Sequence, residues 1–590
     1  MRATPLALLL AALALAPTSC ARRGDGPDDT GNPDGPNNPG RRLTVTPADV
    51  VLDTDKNNPV SISYRVARDG EDVTALTTLT LDDARLGTFT GSQLQASPTG
   101  AGKTTVRARL GDDTGETTLT LRAKAVVIAP GTPMDAPGRF NGPADPAAAP
   151  ELVYPPAGAL IPPNLNELEV HFRPRAATLF ELSFVGDALN LRIYTTCKTL
   201  GGGCGFLPDE DTWKLLANGS RGGAVTVTLR GVGASGGVGT SAPQQLSFGN
   251  DDILGGLYYW AASAGGINRY DFGRRGQKAE VYYAPLINAG AVTCVGCHAL
   301  SRNGKRIAVG LNIPGPAKLR ALDVASRQKL FEFGGLDPMN PMFGGGSDFQ
   351  AFTPDGERLI TVEKGGLTVR NAADGTVLSM TPALPNSNMP DVSPDSRQVV
   401  FARSPTGCIL GLFCPTLAVS NSSLFVVPFT GMGFGDPKVL VTAAMAESNF
   451  YPSFSPDNRY IAFNRAPVET VPDPQDPMKT VQTSSYDNPK ARVMVIPAAG
   501  GAPIDLASVN KAVGNSWPKW APFVQRFGGS TIMWLTFSSR REYGLRSPGK
   551  SQLWMVPVDA AKLAAGQDPG YPPIWLPFQD LNTGNHIAQW

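Results

Sequence analysis

Apolar and polar residues alternate in short runs along most of this chain, and Gly, Asp, Asn and Pro cut the runs apart. Between residues 43 and 128 the runs read Leu-Thr-Val-Thr (43–46), Val-Ser-Ile-Ser-Tyr-Arg-Val (60–66), Thr-Thr-Leu-Thr-Leu (77–81), Thr-Thr-Val-Arg-Ala-Arg-Leu (104–110) and a last run from Thr117 to Ile128. A period of two belongs to a strand with one buried face, and strands at this spacing predict a sandwich over 43–128. Residues 132–150 are rich in Pro and Ala and read as a linker. Beyond them Val153 to Pro156, Glu167 to Phe172, Leu191 to Tyr194 and Leu257 to Ala262 predict strands of a second sandwich over 150–275. In the Glu167 strand, Leu168, Val170 and Phe172 take one face, which leaves His171 on the other, expected to face solvent.

From about Ala279 the pattern repeats itself. Phe454-Ser455-Pro456-Asp457-Asn458-Arg459-Tyr460-Ile461 matches Phe352-Thr353-Pro354-Asp355-Gly356-Glu357-Arg358-Leu359 and Val392-Ser393-Pro394-Asp395-Ser396-Arg397-Gln398-Val399. Leu300-Ser301-Arg302-Asn303-Gly304 is a further copy, and Trp520-Ala521-Pro522 a looser one. Anchors at Ser301, Thr353, Ser393, Ser455 and Ala521 lie 52, 40, 62 and 66 residues apart, the size of propeller blades with insertions. Each copy is a strand, a tight turn and a second strand, as expected of the two inner strands of a blade. Residues 583–590 align with 513–520, so the chain ends entering a sixth equivalent position. The fold class expected is all-β: two β-sandwich domains followed by a roughly six-bladed β-propeller over 279–590.

Three resemblances attach to these segments. The repeat, over about half the chain, resembles the propeller repeat of the bacterial TolB family. Residues 43–128 resemble bacterial immunoglobulin-like modules, which implies a spacer without chemistry, and the Tyr258-Tyr259-Trp260 strand is similar to one in fibronectin type III domains. All three speak of fold and leave function to particular residues.

Composition narrows the partners. The 590 residues include 65 Gly and 53 Pro, and the net charge is +1, with no basic run interleaved with aromatics, so nucleic acid is not an expected partner. Residues 6–16 form an apolar run after a single Arg, which reads as a secretory signal and is too short for an ordinary span. Pro17-Thr18-Ser19-Cys20 resembles a bacterial lipobox, with Pro17 departing from the usual Leu. The resemblance implies acylation of Cys20 and a membrane-anchored lipoprotein, periplasmic or at the cell surface, with simple cleavage as the alternative. Residues 21–42 hold no apolar residue after Ala21 and read as a tether. Seven cysteines is an odd number for an exported chain. With Cys20 lipidated, two close pairs, Cys197 with Cys204 and Cys408 with Cys414, are candidate loop disulfides, their alternative being buried thiols.

The remaining pair sits in Cys294-Val295-Gly296-Cys297-His298, leading directly into the first repeat. C-x-x-C-H is the attachment pattern of a c-type haem: two thiols reach the vinyl groups and the adjoining imidazole reaches the iron. A CxxC disulfide or redox pair, or half a zinc site, are the rivals. The following residues predict a turn and a strand rather than the helix a redox pair needs, and zinc lacks two further ligands. The arrangement resembles exported bacterial propeller proteins in which C-x-x-C-H precedes such a repeat, which implies one covalent haem c. Of three histidines in the chain, His586 falls on the same predicted rim as His298 and is the expected second axial ligand, with Met389 and then Met342 as alternatives. The function expected is electron transfer at the cell envelope, with a redox partner on the propeller face and no catalytic residue. The alternative is a non-enzymatic scaffold binding protein or glycan, with CxxCH as a structural clasp.

Overall fold

The computed structural model describes residues 41–590 except 55–59, 99, 275, 286, 288–293, 313–317, 336–344, 348, 364, 381–385, 406–418, 474–475, 477 and 513. Six four-stranded antiparallel sheets form its C-terminal part. Blades 1 to 5 follow the chain, their inner strands being Cys294–Leu300, Gln350–Phe352, Ser387–Val392, Glu447–Phe454 and Asn515–Phe527. The turn of the repeat forms because its hydroxyl does two jobs. Ser393 Oγ donates to the Asp395 carboxylate at 2.6 Å and accepts from Gln398 N–H at 2.9 Å. Thr353 and Ser455 accept in the same way from Arg358 and Tyr460, each at 3.0 Å. Such side-chain bonds satisfy turn groups that no strand partner reaches.

The sixth blade joins the two ends of the propeller. The last strand, Asn585–Gln589, pairs with Gly256–Ala261, opposing His586 to Trp260, and Gly266–Asp271 and Glu280–Tyr283 complete the sheet. The strand read from sequence as part of the second sandwich is therefore a propeller strand, and the propeller begins near Gly256 rather than 279. Alternation identifies a strand but not the sheet that receives it. Here the receiving edge lies more than three hundred residues away, and pairing with it leaves no open strand at the ring's seam.

The N-terminal sandwiches are not separate bodies either. The strand Asp113–Ile128 pairs with Gly102–Leu110 and Val50–Thr54, then runs on so that Ala123–Ile128 lies parallel to Leu189–Tyr194, making one ten-stranded sheet across both. The predicted linker is packed: Ala136 and Phe140 lie against Leu179, Tyr194 and Val232. A helix the alternation did not predict, Glu210–Gly219, is capped by the Asp209 carboxylate accepting from Thr212 N–H at 2.8 Å, and it buries Trp213 and Leu216 in the sandwich core.

His171 is fully buried, not solvent-facing. Its strand, Val170–Arg173, turns one face to the sandwich core and the other to a propeller turn at 543–546. Leu545 N–H donates to Nδ1 at 3.2 Å, Nε2 bonds the Glu169 carboxylate at 2.9 Å, and Arg546 pairs with Glu169 at 3.1 Å. Tyr154 Oη accepts from Trp575 N–H at 3.1 Å in the same junction. Burial pushes the Glu169 carboxyl up, and the hydrogen bond from His171 with the charge of Arg546 more than offsets it, holding it below the usual range.

Candidate functional site

The inner strands carry a repeated irregularity that builds the channel mouth. Register shifts fall between Gly296 and Ala299, Asn388 and Asp391, Phe450 and Ser453, and Ser516 and Lys519. At each shift one non-glycine residue lies in the left-handed region: Cys297 (φ 44°), Met389 (53°), Tyr451 (51°) and Trp517 (57°), with Ile587 (53°) on the closing strand. That backbone costs on the order of 1–2 kcal/mol per residue. Packing offsets it, because the bulges turn these side chains toward the axis. Tyr451 stacks on Trp517 at 3.7 Å, and Phe349 lies 5.9 Å from Trp517 and 6.0 Å from Tyr451. The aromatic plug leaves a cavity of about 40 Å³, lined among others by Cys297, His298, Met389, Tyr451 and Trp517.

The bulge also shapes the CxxCH segment. In a regular strand, residues three apart point to opposite faces. Here Gly296 opposes Gly310 while Ala299 opposes Ala308, so Cys297 and His298 together stand across from Val309 and the alternation is reset. Cys294 and Cys297 both keep their thiols and are half-buried. Burial raises the Cys294 thiol above its ordinary value, against a smaller lowering by the Trp260 indole, so it is protonated at neutral pH. A redox-active pair needs the opposite shift.

His298 is 3% exposed. Its Nε2 bonds the Tyr258 carbonyl oxygen at 3.2 Å, and its Nδ1 is buried with no partner. Burial, helped by the charge of Lys519, pulls the imidazole down to about 4 against the weaker opposing effect of the Tyr258 bond, so it is neutral near pH 7. A neutral ring donating from Nε2 carries its lone pair on Nδ1, the form that ligates a metal. His586 is likewise buried, lowered mainly by burial, with an unpartnered Nδ1. Its ring lies 5.9 Å from that of Trp260, and it does not line the cavity that His298 shares with Met389. Both histidines thus touch the Gly256–Ala261 strand two residues apart, at Tyr258 and at Trp260. His586 stays outside the cavity that His298 lines, and among the described residues no three His, Cys, Asp or Glu are gathered as a metal site.

Trp260 and Tyr258 are the residues that sequence reasoning missed. The signal was the repeat: residues 583–590 align with an inner strand, and an inner strand needs a partner strand. Of the other expected site residues, Cys197 and Cys204 are joined, with Cα atoms 5.2 Å apart. Cys20, Met342, Cys408 and Cys414 lie outside the described residues.

The site tests a porphyrin in two respects. The donor set suits one: two thiols at a half-exposed rim and a neutral imidazole with an orphaned nitrogen. The channel does not, since ligand pockets run to about 300–1,000 Å³ and this cavity holds about 40 Å³. The residues supply donors for a porphyrin, and seating one against His298, which is 3% exposed, requires the mouth to open.

No known family profile matches the chain, and no curated protein does. Among solved structures it is similar to TolB from Acinetobacter baumannii at 14% identity and a TM-score of 0.31, over 60% of this chain and 79% of that one. It is similar to Kuenenia stuttgartiensis hydrazine synthase at 14% identity and a TM-score of 0.24, over 45% and 77%. For the dihydro-haem d1 dehydrogenase NirN in complex with DHE the values are 13% and 0.28, over 52% of each chain. These likenesses concern the fold alone, and the count of six blades rests on the strand pairing.

Proposed function

We propose that this chain is an exported, lipid-anchored protein that carries one covalent c-type haem at the mouth of its propeller and passes electrons to or from a partner docking on that face. The observation that carries the reading is the His298 Nδ1, buried and without a partner in a ring kept neutral, one residue from a C-x-x-C pair that keeps its thiols. In this reading Cys294 and Cys297 would hold the porphyrin through thioether links, and His298 would offer a ring nitrogen to its iron. The bound group would supply one-electron chemistry. The protein's own residues orient it: the Tyr258 carbonyl fixes the tautomer of His298, as partners of metal-ligating histidines commonly do. Anchoring rests on acyl chains at Cys20, and among the described residues no helix is long and apolar enough to cross a membrane.

The small cavity favours a second reading, a binding scaffold in which the CxxCH strand only clasps the first blade to the last. One experiment separates the two. The full chain is produced with cytochrome c maturation machinery, denatured, and its pyridine haemochrome spectrum recorded. A haem that stays with the denatured chain is the expected result. A colourless chain removes the haem reading and leaves the scaffold.

A further inference from the structure

Deeper than the thiols, the channel opens into a second compartment of about 40 Å³. Gln350, Lys519 and Gln589 line both compartments and divide them, Gln589 Nε2 donating to the His298 carbonyl oxygen at 3.4 Å. Three charged side chains from three blades meet in the lower one: Arg302 after the inner strand of blade 1, Asp391 in blade 3 and Lys519 in blade 5. Asp391 accepts from Phe454 N–H at 2.7 Å and from Lys519 Nζ at 3.2 Å, and it stands 3.8 Å from the Arg302 guanidinium. Arg302 also donates to the Phe454 carbonyl oxygen at 3.1 Å. One carboxylate thus faces two cations.

All three side chains are mostly withdrawn from water, at 21%, 14% and 22% exposure for Arg302, Asp391 and Lys519, so bulk solvent screens the excess charge poorly. Burial pulls the Arg302 guanidinium below its ordinary value. Trp520 lines the same space with a buried indole N–H that has no partner. Donors are therefore in surplus over acceptors, in a space the size of one small ion.

We infer that this compartment binds a small monovalent anion such as chloride between Arg302 and Lys519. The ion completes the charge of the triad and ties blades 1, 3 and 5 together across the axis. The inference stands apart from the haem reading, since none of its residues carries or ligates that group.

The test uses the wild-type chain in thermal unfolding at constant ionic strength, sodium gluconate being exchanged for sodium chloride or bromide. Gluconate is too large for the compartment, so a saturable rise in midpoint of about 2 °C is expected with chloride and bromide only. Lys519→Met should abolish the difference between salts. Bromide-soaked crystals of the wild-type chain read the site directly, with an anomalous peak between Arg302 and Lys519. If water alone fills the space, the midpoints in all three salts coincide and no peak appears, which overturns the inference.

Discussion

The three histidines of this chain are all buried, yet the one at the junction between sandwich and propeller and the two at the channel mouth are built to opposite rules. His171 has both ring nitrogens bonded, to Glu169 and to Leu545 N–H, with Arg546 closing the network and Tyr154 and Tyr543 packed on its faces. His298 has one nitrogen bonded and one bare, and His586 also has a bare Nδ1. Leaving a buried polar atom without a partner costs about 1–3 kcal/mol. The fully satisfied histidine belongs to a structural joint, and the bare Nδ1 of His298 is the feature on which the proposed haem reading rests.

The comparison breaks most sharply at the thiols. With Cys294 and Cys297 both replaced by Ala, covalent haem in the denatured chain should vanish completely. The urea midpoint of the unloaded protein should barely move, because both side chains are half-exposed. A chain that still holds colour after denaturation would show attachment elsewhere.

On the structural side, the largest effect belongs to Gly544. A Cβ there would lie 2.1 Å from His171 Nδ1, and the residue sits at φ +58°, a conformation glycine adopts freely. Because the opposing atom belongs to a ring held on both sides, it has nowhere to move. Gly544→Ala should cost roughly 2–4 kcal/mol, from overpacking together with the backbone term. Chemical unfolding measures this, and covalent haem content of the folded fraction should be unchanged.

How much of this contrast was visible in the sequence depends on how far away the cause lay. The turns that open on Ser or Thr followed by Pro-Asp were legible because everything that makes them, from Ser393 to Gln398 in one copy, is within six residues. The solvent-facing reading of His171 failed because its second partner, Leu545, is 374 residues away. Nothing near the Val170 strand announces a covered outer face. The sandwich reading of Leu257 to Ala262 failed for the same reason, its neighbour being the end of the chain. At the mouth, Cys297, Met389, Tyr451, Trp517 and Ile587 share no residue type. No propensity marks them as left-handed, and only their common place in the repeat relates them.

The pH response separates the two kinds of histidine in turn. The His298 ring sits at about 4 when folded against about 6.5 when unfolded, so between those values the unfolded chain binds a proton that the folded one refuses. Stability should be flat above pH 6.5 and fall as pH drops toward 4, by roughly 3 kcal/mol in all. His298→Gln should remove that part of the slope, while carboxylates such as Glu169 continue to lose stability at lower pH in both proteins. Urea unfolding from pH 7.5 to 4.5 makes the check. Parallel curves for wild type and variant would mean that His298 takes its proton in the folded state.

The smallest effect is the most discriminating within the mouth itself. His586 lies tilted beside Trp260 and stays outside the cavity that holds His298 and Met389, although the repeat places it on the same rim. If the arrangement of side chains decides ligation, His586→Ala in haem-loaded protein leaves the Soret and visible bands where they were and changes only tryptophan emission, through Trp260. If the rim rearranges around the group so that the second imidazole reaches the iron, the same substitution moves the bands. The bare Nδ1 of His586 would then have the same meaning as that of His298, and the difference in cavity lining would reflect only the closed state of the plug.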